Sequence, residues 1–502
     1  MLKELMRLST QHLLEWSKQK NFLTSTTLLL LNEKSWGRLA SLDGIPEVFK
    51  NRLTQAKSRA KAPLKAGETL LVQGTHLKEE DLWVCLLPEN IEMYFLLEFA
   101  RDILKQVVHT SDEKLSIVMI DPELNLLLAE AFGAALAARV LILPVYGLRE
   151  KLQKKYQLKE LDWISSGEDP KLALIEGYAS GEGTHLARYL ATLPPNFLNA
   201  KTYGETIRKL AKQHNLSCRF YSKSQLKKMG AGAFTAVDQG NPSSDGGIYE
   251  LSYSPKGSQK KKQISLVGKG ICYDTGGYDI KVGGNMATMK GDMQGSSVAL
   301  ATLIAASKLK LPVRMNAFLA VTENHISPLA YKADEVVTAL NGMTIEVVNT
   351  DAEGRMVLAD TLTLACRDKP DCVISFATLT GSAVRAIGTK YSAGFTNREK
   401  FHDTVKSAGT RSGERVWTFP IDSTFGKALE SKIADILQCV KGPGPDHIFA
   451  AYFLSRFVSK TVPWVHIDLS ASENEGGIGH VDSLFTGFGV RWALQFLKYL
   501  VS

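Results

Sequence analysis

The segment 349–360, NTDAEGRMVLAD, places two acids and an arginine between two apolar stretches. Residues 344–348 are predicted to form a buried strand, and residues 357–367 are predicted to form a helix. Asp351 and Glu353 are two residues apart, so in an extended chain both carboxylates would point to the same face. Two carboxylates so close repel each other unless a cation lies between them. The segment therefore predicts a charged site where a strand meets a helix.

Two earlier segments have the same character, with acids beside glycines directly after an apolar run. Residues 266–281, LVGKGICYDTGGYDIK, contain Lys269, Asp274, Asp279 and Lys281, and residues 289–296, MKGDMQGS, contain Asp292. Asp292 alone is also compatible with a helix N-cap.

The four acids Asp274, Asp292, Asp351 and Glu353 carry four negative charges, which two divalent cations would balance. A structural network of ion pairs with Lys269, Lys281 and Arg355 is the alternative explanation. Spacing alone leaves both open.

The elements that must position these residues alternate between strand and helix, which predicts an α/β protein. We expect a smaller N-terminal α/β domain, residues 1–170, and a larger C-terminal catalytic domain, residues 171–502, with a mixed central sheet flanked by helices. The polar break at 165–170 marks the boundary. Strands are predicted at 69–72, 115–120, 140–146, 264–267, 313–320, 345–348, 372–377 and 464–468. Helices are predicted at 94–108, 125–138, 171–193, 297–308, 357–367 and 446–458.

Composition excludes several protein classes. The chain has 502 residues, of which 44% are hydrophobic and 22% are charged, so it is typical of a folded globular protein rather than a disordered one. No apolar run approaches the ~20 residues of a membrane helix. The N-terminal residues 1–16 are predicted to form an amphipathic helix rather than a signal peptide. We therefore expect an intracellular protein whose six separate cysteines are free thiols.

The formal net charge is +8, and part of it lies in the run KGSQKKK at 256–262. That run is predicted to be a solvated hairpin loop, and nucleic-acid contact is a minor alternative. The sequence contains neither an HExxH motif nor a GxSxG motif, which argues against a helix-borne single-zinc protease and a serine hydrolase.

The segment NTDAEGRMVLADTL resembles the signature of the leucyl aminopeptidase family, the dinuclear metal exopeptidases of the cytosol, with Met356 in place of the usual leucine. The segments VGKG, YDTGG and GDM resemble the other metal-binding segments of that family. ATLTG at 377–381, TLPPN at 192–196, and the C-terminal HIDLS and GFGVRWALQFL are also similar to it. The resemblance covers roughly residues 170–500.

By this resemblance, two divalent ions, Mn²⁺ or Zn²⁺, are bound by Lys269, Asp274, Asp292, Asp351 and Glu353, and Lys269 is expected to be a neutral amine. The resemblance implies a metal-bridging hydroxide as nucleophile, Lys281 as the group that stabilises the oxyanion, and bicarbonate held by Arg355 as general base. Asp292 is expected to contact the substrate's α-amine, and Met289, Thr378 and Gly381 are expected to line the side-chain pocket. On spacing alone, a core position is the favoured explanation for Met289.

The function that follows is a metal-dependent aminopeptidase that releases leucine or other apolar residues from peptide N-termini. The resemblance also implies a cytoplasmic homohexamer. From composition we expect no membrane contact, and nucleic-acid binding is not favoured. Asp279 departs from the family pattern. It is either a solvent-facing acid, or it lowers the effective charge of Lys281 or contacts a basic substrate. Two-metal phosphoester hydrolysis and a non-catalytic scaffold or nucleic-acid binder are the alternatives from other classes.

Overall fold

The computed structural model describes residues 7–12, 26–38, 45, 47–59, 63–72, 82–153, 155–242, 245–255, 257 and 261–501. The chain divides into two compact units. One comprises Met1–Glu182 with Ile478–Val481, and the other comprises Gly183–Gly477 with Asp482–Ser502. This division falls inside a helix, so the domain boundary near residue 170 stays a prediction.

The first unit contains a six-stranded sheet with the order β1-β6-β5-β2-β4-β3. Its strands are parallel except for β3, which pairs antiparallel with β4 at the edge. The strands are β1 Arg7–His12, β2 Thr26–Leu31, β3 Thr69–Val72, β4 Leu82–Leu86, β5 Lys114–Met119 and β6 Glu160–Ser165. The helices are α1 Glu33–Gly37, α2 Glu47–Arg59, α3 Met93–Val107, α4 Asn125–Val140 and α5 Leu148–Leu152.

Strand β2 explains why this sheet is apolar on both faces. Leu28 and Leu30 pack into a core with residues of α3 and α4, whereas Leu29 and Leu31 pack with Phe49 and other residues of a second core. Successive side chains of a strand point to opposite faces, so a run of four leucines fits only a strand that is covered on both sides.

The second unit contains an eight-stranded mixed sheet with the order β15-β14-β17-β13-β9-β10-β8-β7, and a three-stranded sheet with the order β11-β12-β16. The central strands β17, β13, β9 and β10 are mutually parallel. The strands are β7 Ser217–Ser222, β8 Gly247–Tyr253, β9 Gln263–Asp274, β10 Arg314–Asn324, β11 Val336–Thr338, β12 Thr344–Glu346, β13 Cys372–Ala377, β14 Ser392–Thr396, β15 Val416–Thr418, β16 Ile436–Leu437 and β17 Trp464–Asp468.

The helices from the unit boundary onwards are α6 Lys171–Thr192, α7 Ala200–Gln213, α8 Lys223–Met229, α9 Gly232–Asp238, α10 Gln294–Lys308, α11 Glu353–Ala365, α12 Gly381–Ile387, α13 Phe401–Ser412, α14 Ser423–Gly426, α15 Asp446–Ser455 and α16 Val490–Val501. Helices α10 and α11 both pack against β9. A Cβ atom at Gly268 of β9 would lie 2.4 Å from the Cα of Ser296, so only glycine allows α10 to approach the strand this closely. The mixed α/β class predicted from the sequence is confirmed.

Three local predictions are wrong. Residues 140–146 are not a strand: α4 continues to Val140, and residues 141–146 form no regular element. Pro144 lies in this stretch and lacks the amide that a strand in the sheet interior must donate. The run 256–262 does not connect a hairpin, because β10 lies between β8 and β9; Lys256, Ser258, Gln259 and Lys260 lie outside the described residues. Arg7–His12 is a strand rather than a helix, because pairing with β6 overrides local propensity.

All six cysteines are free. In the described part of the chain, no helix combines the length and the hydropathy of a membrane-crossing segment.

Asp360 of α11 joins three parts of the second unit. The side chain is buried, and its two oxygens accept hydrogen bonds from the amides of Phe234 (2.8 Å) and Leu340 (2.7 Å). We expect Asp360→Ala to lower the free energy of unfolding by about 2–4 kcal/mol, since the buried amide of Phe234 and the partly buried amide of Leu340 lose their acceptor. Urea denaturation measures this change.

Asp435 provides the matched control, since it also accepts two hydrogen bonds, from the amide and hydroxyl of Thr344, but is exposed. Water replaces an acceptor at an exposed position, so Asp435→Ala should cost less than about 1 kcal/mol. Equal costs for the two variants would contradict a bridging role of Asp360.

Candidate metal site

The site is built where the central strands β9 and β13 end. The last residue pair between them is Phe376 with Gly268, so Lys269 lies just beyond the end of their pairing. Its ammonium donates a hydrogen bond to the carbonyl of Thr378, at 3.1 Å. Asp274 is the last residue of β9. One strand therefore carries both a cation and an acid to the carboxyl edge of the sheet, where α/β proteins place their sites.

Lys269 and Lys281 each bridge two acids. The Lys269 Nζ atom lies 2.8 Å from Asp292 Oδ1 and 2.9 Å from Glu353 Oε1. The Lys281 Nζ atom lies 2.9 Å from Asp274 Oδ2 and 2.6 Å from Asp351 Oδ1. The ion-pair network that the sequence left open is therefore formed by the two lysines, but not by Arg355.

Three carboxylates from two distant segments meet at this place. Asp274, Asp351 and Glu353 each contribute an oxygen such that all three oxygens lie within 4.8 Å of one another. The extended conformation expected for residues 351–353 is wrong. Asp351 lies in a 3-10 turn, Thr350–Ala352, and Glu353 is the first residue of α11. The carboxylates converge because the turn and the helix start bend the chain around Asp274.

Asp292 is not a helix N-cap. Met293 precedes α10 and makes no side-chain cap, and Asp292 Oδ1 instead accepts a hydrogen bond from the Thr378 hydroxyl at 2.7 Å. Its side chain is buried and turns towards Lys269. The reason is electrostatic: an ammonium at 2.8 Å stabilises a buried carboxylate more than one backbone amide does.

Three polar side chains that the sequence did not single out as part of the site hold the acids and their turn in place. Asn324 donates to Asp274 Oδ1 at 2.8 Å and to the carbonyl of Thr350 at 3.1 Å. Tyr331 also donates to that carbonyl, at 2.8 Å. Gln438 accepts from the amides of Val348 and Asn349 and donates to the carbonyl of Ala352, so it spans the turn that carries Asp351.

Asp279 has a structural role at this turn. Its Oδ2 atom accepts from the amide of Thr350 at 2.8 Å, and its own amide donates to the Thr350 hydroxyl at 2.8 Å. Asp279 thus connects the loop after β9 to the turn beside Asp351. No sequence signal distinguishes such an acid from a solvent-facing one, since the partner is 71 residues away.

The carboxylates of the cluster repel one another, and their burial disfavours the ionised form of each. Burial raises the pKa of Glu353 to about 8, and the charge of Asp274 adds to that shift. Burial, again together with Asp274, raises the pKa of Asp292 to about 6. The pKa of Asp351 is raised by the same two causes. The three acids are therefore costly to ionise together, although the lysines offset part of the cost.

The lysines respond in the opposite sense. Burial lowers the pKa of Lys269, but the charges of Asp292, Glu353 and Asp274 outweigh burial and raise it. The pKa of Lys281 is likewise raised, because Asp274 and Asp351 outweigh burial. A neutral amine at Lys269, as expected from the resemblance, therefore requires that another cation take over the acids it now pairs with.

Arg355 pairs with an acid outside the cluster. It is buried, and its Nη2 atom donates to Asp446 Oδ2 at 2.7 Å while Nη1 donates to the carbonyl of Gln438 at 3.3 Å. Asp446, the first residue of α15, is thus a partner that the sequence did not indicate.

The predicted pocket residues occupy loop and turn positions at the same edge of the sheet. Met289 is half-buried and begins a 3-10 turn, Met289–Gly291, which directly precedes Asp292. Thr378 contacts both Asp292 and Lys269. Gly381 is exposed at the start of α12. Thr378 is thus tied to Asp292 through its hydroxyl, and Met289 through its carbonyl, which accepts a hydrogen bond from the Asp292 amide at 3.3 Å.

The donor set fits divalent cations. Buried oxygens without a hydrogen-bond partner in the described structure include Glu353 Oε2 and Asp292 Oδ2. Buried carboxylate oxygens are rarely left without partners unless they serve a cation or a substrate. Hard oxygen ligands with one amine suit Mn²⁺, Zn²⁺, Mg²⁺ or Co²⁺.

Gly354 offers a steric test of this site. A Cβ atom there would lie 2.6 Å from both Cε and Nζ of Lys269, the flexible end of a side chain. We expect Gly354→Ala to fold normally but to displace the Lys269 amine, lowering the affinity for Mn²⁺ about 10–100-fold in titration calorimetry.

The control is Gly37→Ala, at a helical glycine with open space around the added methyl group. It should leave Mn²⁺ affinity unchanged. Wild-type affinity in Gly354→Ala would show that the amine of Lys269 has no part in metal binding.

Comparisons with known proteins agree with this chemistry. The family model for the catalytic domain of the cytosol aminopeptidase family matches residues 185–494. A probable cytosol aminopeptidase of Aquifex aeolicus (strain VF5) is 38% identical over 356 residues, which cover 70% of this chain and 71% of that protein. A probable cytosol aminopeptidase of Syntrophotalea carbinolica is 40% identical over 319 residues, 63% of each chain.

Among solved structures, the bottromycin maturation enzyme BotP in complex with Mn is similar, with a TM-score of 0.79 and 28% sequence identity. The similarity covers 95% of this chain and 100% of that one. Sequence, fold and acidic cluster lead to one conclusion: the chain belongs to the cytosol aminopeptidase family, peptidase family M17, and is a metal-dependent leucyl aminopeptidase-type hydrolase.

Proposed function

We propose that this protein removes leucine and other apolar residues from the N-termini of peptides with two divalent ions bound by Lys269, Asp274, Asp292, Asp351 and Glu353. The observation that carries the proposal is the meeting of three carboxylate oxygens within 4.8 Å, beside a lysine that already contacts two of the five predicted ligands. Family membership supplies the reaction class.

Bound divalent ions would supply a water molecule of lowered pKa and polarise the scissile carbonyl. The protein's own part falls first to Lys281. Its ammonium stays protonated because Asp274 and Asp351 raise its pKa, and it is partly accessible, with 14% of its side chain exposed. A fixed ammonium at the edge of the cluster can donate a hydrogen bond to the oxyanion that develops during amide hydrolysis.

Asp292 is the natural contact for the substrate's α-amine. Its Oδ1 atom is held by Thr378 and Lys269, while Oδ2 is buried without a partner among the described residues. An ammonium of the substrate would satisfy that oxygen with a charge-assisted hydrogen bond, whereas an acylated nitrogen is uncharged and keeps a single N–H. This contact explains why only N-terminal residues would be removed.

The side-chain preference is assigned to a wall formed by Met289, Thr378 and Gly381. A methionine is compliant and apolar, and a glycine leaves space, so leucine and methionine suit such a wall. This part of the proposal rests on the family resemblance of the three positions and on the hydrogen bond from Thr378 to Asp292.

The metal is proposed to be Mn²⁺ or Zn²⁺; the similar BotP structure is a complex with Mn, which favours Mn²⁺. A homohexamer in the cytoplasm completes the proposal. The cytoplasmic location is supported by the name that the relatives share, cytosol aminopeptidase. The hexamer is supported by the assembly that the family resemblance implies. Analytical ultracentrifugation tests the hexamer; a monodisperse monomer at micromolar concentration would exclude it.

The central experiment is removal and return of the metal. After dialysis against chelator, we expect no cleavage of leucine p-nitroanilide, and recovery on addition of Mn²⁺ or Zn²⁺. The N-acetylated anilide should stay intact, because it offers no amine to Asp292. Cleavage of both substrates, or of neither with any metal, would refute the aminopeptidase assignment. Glu353→Gln should be inactive, and Glu335→Gln, which alters a half-buried acid of a loop, is its control.

Lys281→Met tests the oxyanion role. We expect kcat to fall about 10²–10³-fold with little change in KM, because the lost hydrogen bond forms only in the transition state. The control Lys432→Met, at an exposed lysine, should match the wild type. A rise in KM with unchanged kcat would instead assign Lys281 to substrate binding.

A further inference from the structure

The charge of Arg355 is compensated inside the protein. The guanidinium is 3% exposed, and its Nη2 atom lies 2.7 Å from Asp446 Oδ2. The Asp446 side chain is 39% exposed, so it connects the buried arginine to solvent. A buried cation without an anion is costly, and Asp446 is the carboxylate that satisfies it.

A bound bicarbonate does not fit this arrangement. Bidentate binding of a planar oxyanion needs two neighbouring donors of the guanidinium. Asp446 accepts one hydrogen bond from Nη2 and the carbonyl of Gln438 accepts one from Nη1, so an anion that binds two neighbouring donors would share a nitrogen with one of these partners. A second anion next to Asp446 would place two negative charges on one arginine, and the two would repel each other.

We propose that Asp446 is the resident anion of Arg355, and that its carboxylate takes the place at which the family resemblance predicts bicarbonate. The consequence for turnover rests on the proposed aminopeptidase function: hydrolysis by this protein needs no added bicarbonate. Like bicarbonate, a carboxylate is an oxyanion that can accept and return a proton. It takes a proton as an O–H bond of the attacking water breaks, and returns it to the amine nitrogen as the C–N bond breaks.

A merely structural role is the rival explanation. Asp446 lies in the first turn of α15, where a negative charge stabilises a helix, and the N-cap residue Pro445 provides no side-chain cap. That role predicts a loss of stability in Asp446 variants that bicarbonate does not restore. Rescue by a small anion therefore separates the two explanations.

The first experiment compares turnover of leucine p-nitroanilide in buffers freed of carbon dioxide, with and without millimolar bicarbonate. The wild type should be indifferent to bicarbonate. Asp446→Ala should be about 10²-fold slower and should recover with bicarbonate, which enters the vacated space. Asp446→Asn should be slow and recover less, because its amide fills that space. Asp403→Ala removes an exposed ion-paired acid of α13 and should behave as the wild type.

The second experiment needs no turnover. In metal-free protein, bicarbonate or formate should raise the melting temperature of Asp446→Ala by several degrees and leave that of the wild type unchanged. Dependence of wild-type activity or stability on bicarbonate would overturn the proposal, as would an Asp446→Ala variant that is fully active without it. If the wild type cleaves no anilide with either metal, the proposed function fails, yet the melting temperatures still decide which anion Arg355 holds.

Discussion

The mutual repulsion of buried carboxylates is the constraint on which the second unit depends. Asp274, Asp351 and Glu353 approach within 4.8 Å of one another, and burial raises the pKa of Glu353 to about 8. Such an arrangement persists only with positive charge among the acids. Lys269 and Lys281 provide it by bridging two acids each, and the need for more cationic charge is what makes the site suited to divalent metals.

The surrounding fold supplies rigidity where the charges meet. Strand β9 carries Lys269 and Asp274, and the start of α11 carries Glu353, whose charge is also favoured by the helix N-terminus. Buried hydrogen bonds from Asn324 and Gln438 hold the intervening turns. Carboxylates held in this way cannot move apart to relieve their repulsion. A cation therefore binds to ligands that are already ordered, and its binding carries no cost for ordering them.

Arg355 shows the opposite solution to the same problem. Its single positive charge is neutralised by Asp446, and a backbone carbonyl accepts a further hydrogen bond, so no net charge is left to attract a second ion. The acid cluster thus has more negative than positive charge, and some of its carboxylate oxygens have no partner among the described residues. The charge of Arg355, by contrast, is neutralised by Asp446. Glu353 and Arg355 lie two residues apart on α11. They differ because Asp446 balances the charge of Arg355, whereas the acid cluster keeps more negative than positive charge.

By itself, the sequence determined the donor types, their order along the chain, and the α/β class. The strands 69–72, 372–377 and 464–468 have the predicted bounds, because their apolar β-branched or aromatic runs end at clear breaks. The roles of the individual site residues stay predictions.

Only the tertiary structure decided three things: the turn that brings Asp351 and Glu353 together, the attachment of Asp279 to Thr350, and the pairing of Arg355 with Asp446 across 91 residues. Local periodicity carries no information on such pairs, since they exist only after separate helices and loops have packed against one another.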